Sequence, residues 1–268
     1  MGEEKKEMSF LQHLEALRWH LVRSAAVVMI LAGVLFYYKD FVFSTVIFGP
    51  MHTDFLTYRA LCKISHLTGL GDALCMQSIS FELINIDLSG QFTTHIWTSV
   101  IGGLVVGSPY VLWELWRFIS PALHEKERKY TTGVVIYASF LFITGILFSY
   151  YIIVPMTINF LGNYQVSALV RNAISMDSYI GTVTILTLIM GLVFELPIVI
   201  FFLTKIGLLG PSFMKKYRKH AIVVILIVAA IITPTSDIPT LVIVSTPLYI
   251  LYEASIFVSR YAEKKSRQ

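Results

Sequence analysis

The sequence predicts an all-α membrane protein that crosses the bilayer six times. Of its 268 residues, 56% are apolar and only 14% are charged, and the mean hydropathy is +0.70. Soluble proteins carry about 25% charged residues, so this composition indicates a polytopic membrane protein. The apolar residues are gathered into long runs, and a spanning helix needs roughly 20 of them. Because the hydrophilic stretches are short, we expect one transmembrane domain over residues 1–268.

Six apolar runs give the predicted spans. The third lies in the uncharged stretch between Lys129 and Arg171. The last two are predicted to form a short hairpin, since the fifth run is a dozen residues, about 18 Å of helix against a core of roughly 30 Å. Two prolines in "TPTSDIP" favour a turn between them. The other five runs are Leu21–Tyr38, Phe92–Trp116, Tyr179–Thr204, Ala221–Ile232 and Leu241–Val258.

The distribution of Lys and Arg predicts the orientation. With six spans, 17 of the 21 basic residues lie on the side of the N-terminus. Cytoplasmic flanks of membrane helices are enriched in Lys and Arg, so both termini are predicted to be cytoplasmic. Residues 39–90 then form a large extracytoplasmic loop. The net charge of +4 reflects this orientation and does not indicate nucleic-acid binding.

Both cysteines, Cys62 and Cys75, fall in this loop. An oxidising compartment would allow a disulfide, which would contribute about 3 kcal/mol on the chain-entropy model. The alternative is two free thiols packed in a small cap. A metal site is not expected, because His66 alone does not complete a tetrahedral set with the two thiols.

The chain lacks the motifs of common enzymes. It has no GxxxxGKS/T, GxSxG or HExxH, and His124-Glu125 is not followed by a second His four residues on. An ATPase or an intramembrane hydrolase is therefore not expected. Carboxylates do occur at unusual depths, at Glu114, Glu195 and Glu253. An ion pair with Arg117 at helical spacing is expected to satisfy Glu114, and pairing or snorkelling to satisfy Glu253.

Glu195 is the carboxylate that most needs an explanation. It is the one charge between Tyr179 and Thr204. An ionised carboxylate at the bilayer centre costs roughly 2.5 to 3.5 kcal/mol, so such residues usually face protein or water and act there. Pro197 cannot bond to the carbonyl of Val193, which predicts a bent helix at this point. A protonated, hydrogen-bonded side chain is the structural alternative.

Five segments, in this order along the chain, carry a resemblance to a known family: "FLQHLEALR", "WELWRFISPALHEKERK", "FELP", "TPTSD" and "PLYILYE". Together they resemble the TatC subunit of the twin-arginine protein translocase across nearly the whole chain. The resemblance implies a curved six-helix receptor in a bacterial-type cytoplasmic membrane. Its implied partners are Arg-Arg signal peptides of folded precursors, single-span TatA- and TatB-type subunits and membrane lipid. It implies an oligomeric complex driven by the proton-motive force, with no enzyme activity and no cofactor.

The resemblance also implies a signal-peptide site. The family's loop glutamate matches Glu127, and its aromatic residue nine positions earlier matches Phe118. A second family acid directly precedes Leu-Arg, but here Ala16 precedes Leu17 and Arg18. The available acid is Glu15, one position earlier and so about 100° around a helix. Glu125 is the other candidate for the second carboxylate, since two adjacent arginines need about two acids.

Three further residues match the family's pattern. Glu195 matches an intramembrane acid, which implies a polar anchor that meets a partner's single helix or water. Pro50 in "FGPM" matches a family proline, although a helix end explains it equally well. Asp237 lies in a turn one residue longer than the usual Thr-Pro-Pro-Asp. The alternative function is a proton- or cation-coupled secondary transporter that uses Glu195, but no second "FELP"-like segment supports an inverted repeat.

Overall fold

The computed structural model describes residues 10–69, 71–72, 75, 81–119, 131–167, 172–233 and 238–266. Most of these residues are helical, as the composition predicts. Ten α-helices lie in the described part: α1 (Phe10–Tyr37), α2 (Leu56–Leu67), α3 (Gly90–Ile119), α4 (Thr131–Phe148), α5 (Val154–Asn163), α6 (Met176–Phe194), α7 (Leu196–Lys205), α8 (Pro211–Lys216), α9 (Arg218–Ile232) and α10 (Ile238–Ser266). π-Helical turns cover Phe41–Ile47 and Ser149–Ile153, and a 3-10 turn covers Gly49–Met51.

Two short strands depart from the predicted all-α class. β1 (Glu82–Ile84) pairs with β2 (Ala173–Ser175) in parallel, and Glu82 lies opposite Ala173. Each strand has only three residues, too few to show an alternating pattern in the sequence. The pairing joins segments about 90 positions apart along the chain, so only the folded structure reveals it.

Five helical segments are long and apolar enough to cross a membrane: His13–Tyr37, Gly90–Ile119, Gly133–Asn163, Met176–Lys205 and Thr240–Glu263. α9 is short, as predicted, because its 15 residues give about 22 Å of helix. The prediction of a short last helix is wrong, since α10 has 29 residues. The residues after Val258 include Arg, Ala, Glu and Lys, which favour a helix, so α10 continues beyond the apolar run.

The chain divides into two compact units. The first, here called the helix-pair unit, comprises Met1–Tyr37 and Ser99–Phe140. The second, the C-terminal unit, comprises Tyr38–Thr98 and Leu141–Gln268.

Close packing of α1 against α3 holds the helix-pair unit together. A Cβ at Gly103 would lie 2.6 Å from the carbonyl oxygen of Val28 and 2.8 Å from the backbone nitrogen of Ala32. Small residues allow membrane helices to approach this closely, which gains van der Waals contact where lipid supplies no hydrophobic driving force. Any side chain at Gly103 would push the two helices apart.

A group of tyrosine hydroxyls organises the C-terminal unit next to the first π-helical turn. They donate hydrogen bonds to backbone carbonyls of the π-helical turn, the 3-10 turn and the first turn of α5. Burial raises the pKa of Tyr58 above its usual value, so its hydroxyl remains a donor. The bonds are Tyr58 to Pro50 (2.9 Å) and Pro155 (3.3 Å), Tyr150 to Val46 (2.7 Å) and Tyr179 to Ile47 (2.9 Å).

Candidate functional site

Two carboxylates are buried among the described residues, and each lies in a different unit. Glu114 lies in α3 of the helix-pair unit and is 1% exposed. Glu195 lies between α6 and α7 of the C-terminal unit and is 7% exposed. An unpaired buried charge is expensive, so the partners of each group indicate what it does.

Glu114 is fully engaged by its neighbours. His20 Nδ1 lies 2.5 Å from Oε2, and the Tyr110 hydroxyl donates to Oε1 at 2.8 Å. Arg117, the expected partner, is the most distant, with Nη1 3.8 Å from Oε1. The expectation that Arg117 accounts for Glu114 is therefore incomplete, because the closest partner comes from α1. We call His20, Tyr110, Glu114 and Arg117 the Glu114 cluster.

Phe118 lies in α3, one helical turn after Glu114. Its ring packs against the same side of α1 that His20 presents to Glu114. Its ring stacks on His13 with centroids 4.4 Å apart, and it meets the His20 ring edge-on at 6.1 Å. His13 and His20 are seven residues apart, so they share one face of α1. The cluster and Phe118 thus fix the end of α3 against the first three turns of α1.

Glu15 and Arg18 lie elsewhere on α1. Both side chains are exposed, and Glu15 is two residues after His13, about 200° around the helix. It therefore faces away from Phe118 and has no ion pair within the described part of the chain. Ala16, at the family's acidic position, lies half-buried on the His13 side. Because α1 is regular from Phe10 onward, the predicted Glu15, Arg18 and Phe118 do not form one cluster.

Several predicted site residues fall outside the described part of the chain. Glu125 and Glu127 belong to residues 120–130, and Asp237 belongs to residues 234–237. Their predicted roles stay predictions.

Glu195 sits at a break in the fourth predicted span. α6 ends at Phe194, α7 begins at Leu196, and Pro197 occupies the first turn of α7. The Glu195 backbone N–H donates to the Leu192 carbonyl at 3.1 Å. The missing N–H of Pro197 explains the break, as the sequence predicts.

The Glu195 side chain differs from that of Glu114. Its Oε1 is buried and has no hydrogen-bond partner among the described residues. The helix before it packs tightly against α4, since a Cβ at Gly145 would lie 2.6 Å from the Met190 carbonyl oxygen and 2.8 Å from the Phe194 ring. Glu195 therefore follows a rigid, apolar helix contact and presents a carboxylate with unused hydrogen-bonding capacity.

The remaining predicted residues lie in the C-terminal unit. Pro50 is buried, and its carbonyl accepts the Tyr58 hydrogen bond. Cys62 and Cys75 are joined by a disulfide with their Cα atoms 4.3 Å apart. Glu253 accepts from Arg218 Nη2 at 2.6 Å, the pairing that was one of its two expected explanations.

Sequence reasoning missed the contribution of α1 to the Glu114 cluster. His20 and Glu114 are 94 positions apart, and no local pattern connects them. The available signal was that Glu114 is an acid within an apolar run, which requires a partner. His13 gave no comparable signal, because a histidine near a helix start is common on solvated surfaces.

The fold and these two sites define a class of protein. It is a multi-pass helical membrane protein whose described residues include one buried carboxylate with partners, Glu114, and one without, Glu195. Such a protein fits transport at a membrane.

Comparisons with known proteins identify the class more closely. The profile of the family described as Sec-independent protein translocase protein (TatC) matches residues 12–247. The Sec-independent protein translocase protein TatC of Blattabacterium sp. subsp. Periplaneta americana is 41% identical, covering 99% of this chain and 100% of that protein. TatCy of Bacillus subtilis is 32% identical, covering 98% and 92% respectively.

Solved structures agree. A crystal structure described as the twin-arginine translocase receptor TatC in DDM has a TM-score of 0.69 and 31% identity, covering 92% of this chain and 99% of that chain. The chain belongs to the TatC family. It is therefore a membrane component of a protein translocase, and a Tat complex is its implied setting. The family assignment replaces the secondary-transporter alternative.

Proposed function

We propose that this chain is the receptor subunit of a twin-arginine translocase. It binds the Arg-Arg signal peptides of folded precursors and acts with single-span TatA- and TatB-type subunits under the proton-motive force. Family membership supports the proposal, and the matched crystal structure is described as such a receptor. The observation in this chain that carries it is the stacking of Phe118 on His13 of α1, nine residues before Glu127 in the sequence.

The proposed recognition is electrostatic. A guanidinium is planar and permanently charged, and a carboxylate can hold it with two parallel hydrogen bonds. Glu127 is the first such carboxylate. Glu125 is the proposed second one, because Glu15 lies on the face of α1 opposite Phe118. Phe118, nine residues before Glu127 in the sequence, is the proposed aromatic surface of the site.

Peptide binding tests this assignment. Glu127→Gln keeps the side chain's shape and removes its charge, so it should weaken binding of a twin-arginine peptide by about 1.5 to 3 kcal/mol, roughly ten- to a hundred-fold. Glu82→Gln, an exposed carboxylate in β1, is the matched control and should bind normally. Normal binding by Glu127→Gln would exclude this site.

A second pair of variants identifies the partner acid. Glu125→Gln should weaken binding, and its combination with Glu127→Gln should be less than additive because one two-arginine ligand couples the sites. Glu15→Gln should bind normally. A loss with Glu15→Gln equal to that of Glu127→Gln would move the second arginine to α1.

We also propose that the chain crosses the membrane six times with both termini cytoplasmic. The short helix α9 is then the fifth span in chain order, and the membrane beside it is locally thinned. The distribution of Lys and Arg supports this orientation. In a variant without Cys62 and Cys75, a single cysteine placed at Asp72 or Asn172 should be labelled from outside intact cells. A cysteine at Lys216 or Lys265 should be protected. Labelling at either position from outside the cell would show that the proposed orientation is reversed.

A further inference from the structure

An apolar groove runs along one face of α9, within the C-terminal unit. It encloses about 450 Å³ between α7 and α9, and α8 and α10 complete its lining. Tyr217, Ala221, Val224 and Val228 line it at intervals of three to four residues, so α9 presents one continuous face to the groove. Both α7 and α9 pack on α10, which leaves the space between them.

The groove lies among helices that are suited to crossing the membrane. α7 belongs to the apolar segment Met176–Lys205, and α10 contains most of Thr240–Glu263. Leu196 of α7 and Val224 of α9 line the groove and are exposed, so the groove opens to the outside of the chain. Within a bilayer such a space is filled by another helix or by lipid, because a void forfeits van der Waals contact.

The groove is too narrow for a helix. From Tyr217 to Val228 it extends about 17 Å along α9, so its volume corresponds to a mean cross-section of about 27 Å². A helix with its side chains is 10 to 12 Å wide and needs roughly 80 to 110 Å². A single hydrocarbon chain, whose carbon atoms approach their neighbours to about 4 Å, needs roughly 15 to 20 Å². The dimensions therefore suit one lipid acyl chain.

One end of the groove has the aromatic character of a membrane–water interface. The rings of Phe213 and Tyr217 lie 4.5 Å apart, and the His220 ring lies 5.5 Å from that of Tyr217. The Tyr252 hydroxyl donates to the Met214 carbonyl at 2.8 Å and so ties α8 to α10. Amphipathic aromatic rings collect at the level of lipid headgroups, so this end is where a headgroup would lie.

The same end is strongly basic. Residues 205–220 include five Lys and Arg and no acid. Arg218 is already paired with a carboxylate of α10. Lys216 and Lys219 are exposed and form no ion pair with another described residue, and Lys216 Nζ lies 5.9 Å from the centre of the Tyr217 ring. Unpaired ammonium groups at the end of an apolar groove complement an anionic headgroup joined to an acyl chain.

We propose that this groove binds one acyl chain of an anionic phospholipid, with the phosphate held by Lys216 and Lys219. The chain fills the space between α7 and α9, and the headgroup lies beside Tyr217 and His220. The bound lipid thus supports the short helix α9 on the side where no other helix of this unit covers it.

Native mass spectrometry of the delipidated full-length protein tests the proposal. Palmitoyl-oleoyl phosphatidylglycerol should bind at one preferred site per chain. Phosphatidylcholine with the same acyl chains should bind at least ten-fold more weakly, because its headgroup has no net charge. Excess inorganic phosphate should not displace the phosphatidylglycerol, because phosphate has no chain to occupy the groove.

Charge variants test the headgroup contacts. The double variant Lys216→Gln, Lys219→Gln should bind phosphatidylglycerol roughly thirty-fold more weakly, since each basic side chain near an anionic lipid contributes about 1 kcal/mol. The matched control, Lys39→Gln with Lys63→Gln, makes the same change of charge at two exposed positions outside the groove. It should bind as the unsubstituted protein does.

A second pair of variants tests the groove itself. Val223 and Val224 are adjacent and both 56% exposed, but Val224 lines the groove and Val223 does not. Val224→Phe should fill the groove and weaken phosphatidylglycerol binding at least ten-fold, whereas Val223→Phe should leave it unchanged. Far-UV circular dichroism should show equal helicity for the two variants.

Equal binding of the two lipids, or equal lipid binding by the two Phe variants, would overturn the proposal. So would a protein dimer that Val224→Phe dissociates and Val223→Phe does not, because the groove would then bind a second copy of this chain. None of these measurements uses a signal peptide, so the test is independent of the proposed receptor role.

Discussion

Glu114 and Glu195 are the same residue type at similar burial, but their surroundings differ. Glu114 has His20, Tyr110 and Arg117 within 3.8 Å, all from the helix-pair unit. Glu195 in the C-terminal unit follows an apolar helix contact and leaves Oε1 without a partner within the described residues. A buried acid is therefore not in itself a functional site.

The two carboxylates differ in how much hydrogen-bonding capacity each has left for a group outside the chain. Glu114 uses its hydrogen-bonding capacity to hold α1 against α3, which positions Phe118. Glu195 keeps capacity for a group from outside the chain, and we propose a polar residue of a single-span partner subunit or water. The comparison predicts that substitution of Glu114 mainly affects stability, whereas substitution of Glu195 mainly affects export.

The largest effect on stability should come from Glu114→Ala. It removes the acceptor of two half-buried side chains, His20 and Tyr110, and each polar group left unsatisfied costs about 1 to 3 kcal/mol. The free energy of unfolding, measured by SDS titration with far-UV circular dichroism, should fall by at least that amount. Glu82→Ala, at an exposed position, is the control. A loss of unfolding free energy below about 1 kcal/mol would show that the Glu114 cluster contributes little to stability.

Tyr58→Phe should have the next largest effect. It removes the donor to the Pro50 and Pro155 carbonyls, and a buried group left unsatisfied costs about 1 to 3 kcal/mol. The same unfolding titration measures it, with Tyr164→Phe as an exposed control. Equal stability of the two variants would show that the tyrosine bonds contribute little to the C-terminal unit.

Glu253 offers a more exposed carboxylate for comparison. It pairs with Arg218 at 2.6 Å, and their side chains are 24% and 45% exposed. Exposed pairs contribute about 0.2 to 1 kcal/mol, so Arg218→Gln should reduce the unfolding free energy only slightly. A loss as large as that of Glu114→Ala would mean that burial does not explain the contrast.

Glu195→Gln should have the smallest effect on stability. The carboxylate has no partner to lose among the described residues, and Gln keeps its volume, so the unfolding free energy should change less than in the Arg218→Gln variant. Signal-peptide binding should persist, whereas export of a folded precursor into vesicles should fall at least ten-fold. Normal export would assign Glu195 a structural role.

Much of the fold follows from local sequence signals. Long apolar runs predict the spanning helices, and Pro197 predicts the break at Glu195, because hydropathy and the missing N–H act within a few residues. The β1–β2 pair and the His20–Glu114 contact join distant segments, so no local pattern reveals them. The length of α10 was missed because helix formation continues where hydropathy ends.

The candidate site was only partly predictable for the same reason. The family pattern identifies Phe118 and Glu127 by spacing along one segment. It does not fix which face of α1 turns toward α3, and that rotation separates Glu15 from Phe118.

Photo-crosslinking from position 127 tests the receptor assignment most directly. A photoreactive residue there, in the translocase complex, should form an adduct with a twin-arginine signal peptide. The adduct should be lost when both arginines of the peptide are replaced by lysine, because lysine lacks the planar two-donor geometry. Equal crosslinking of the two peptides, or crosslinking of neither, would contradict the assignment.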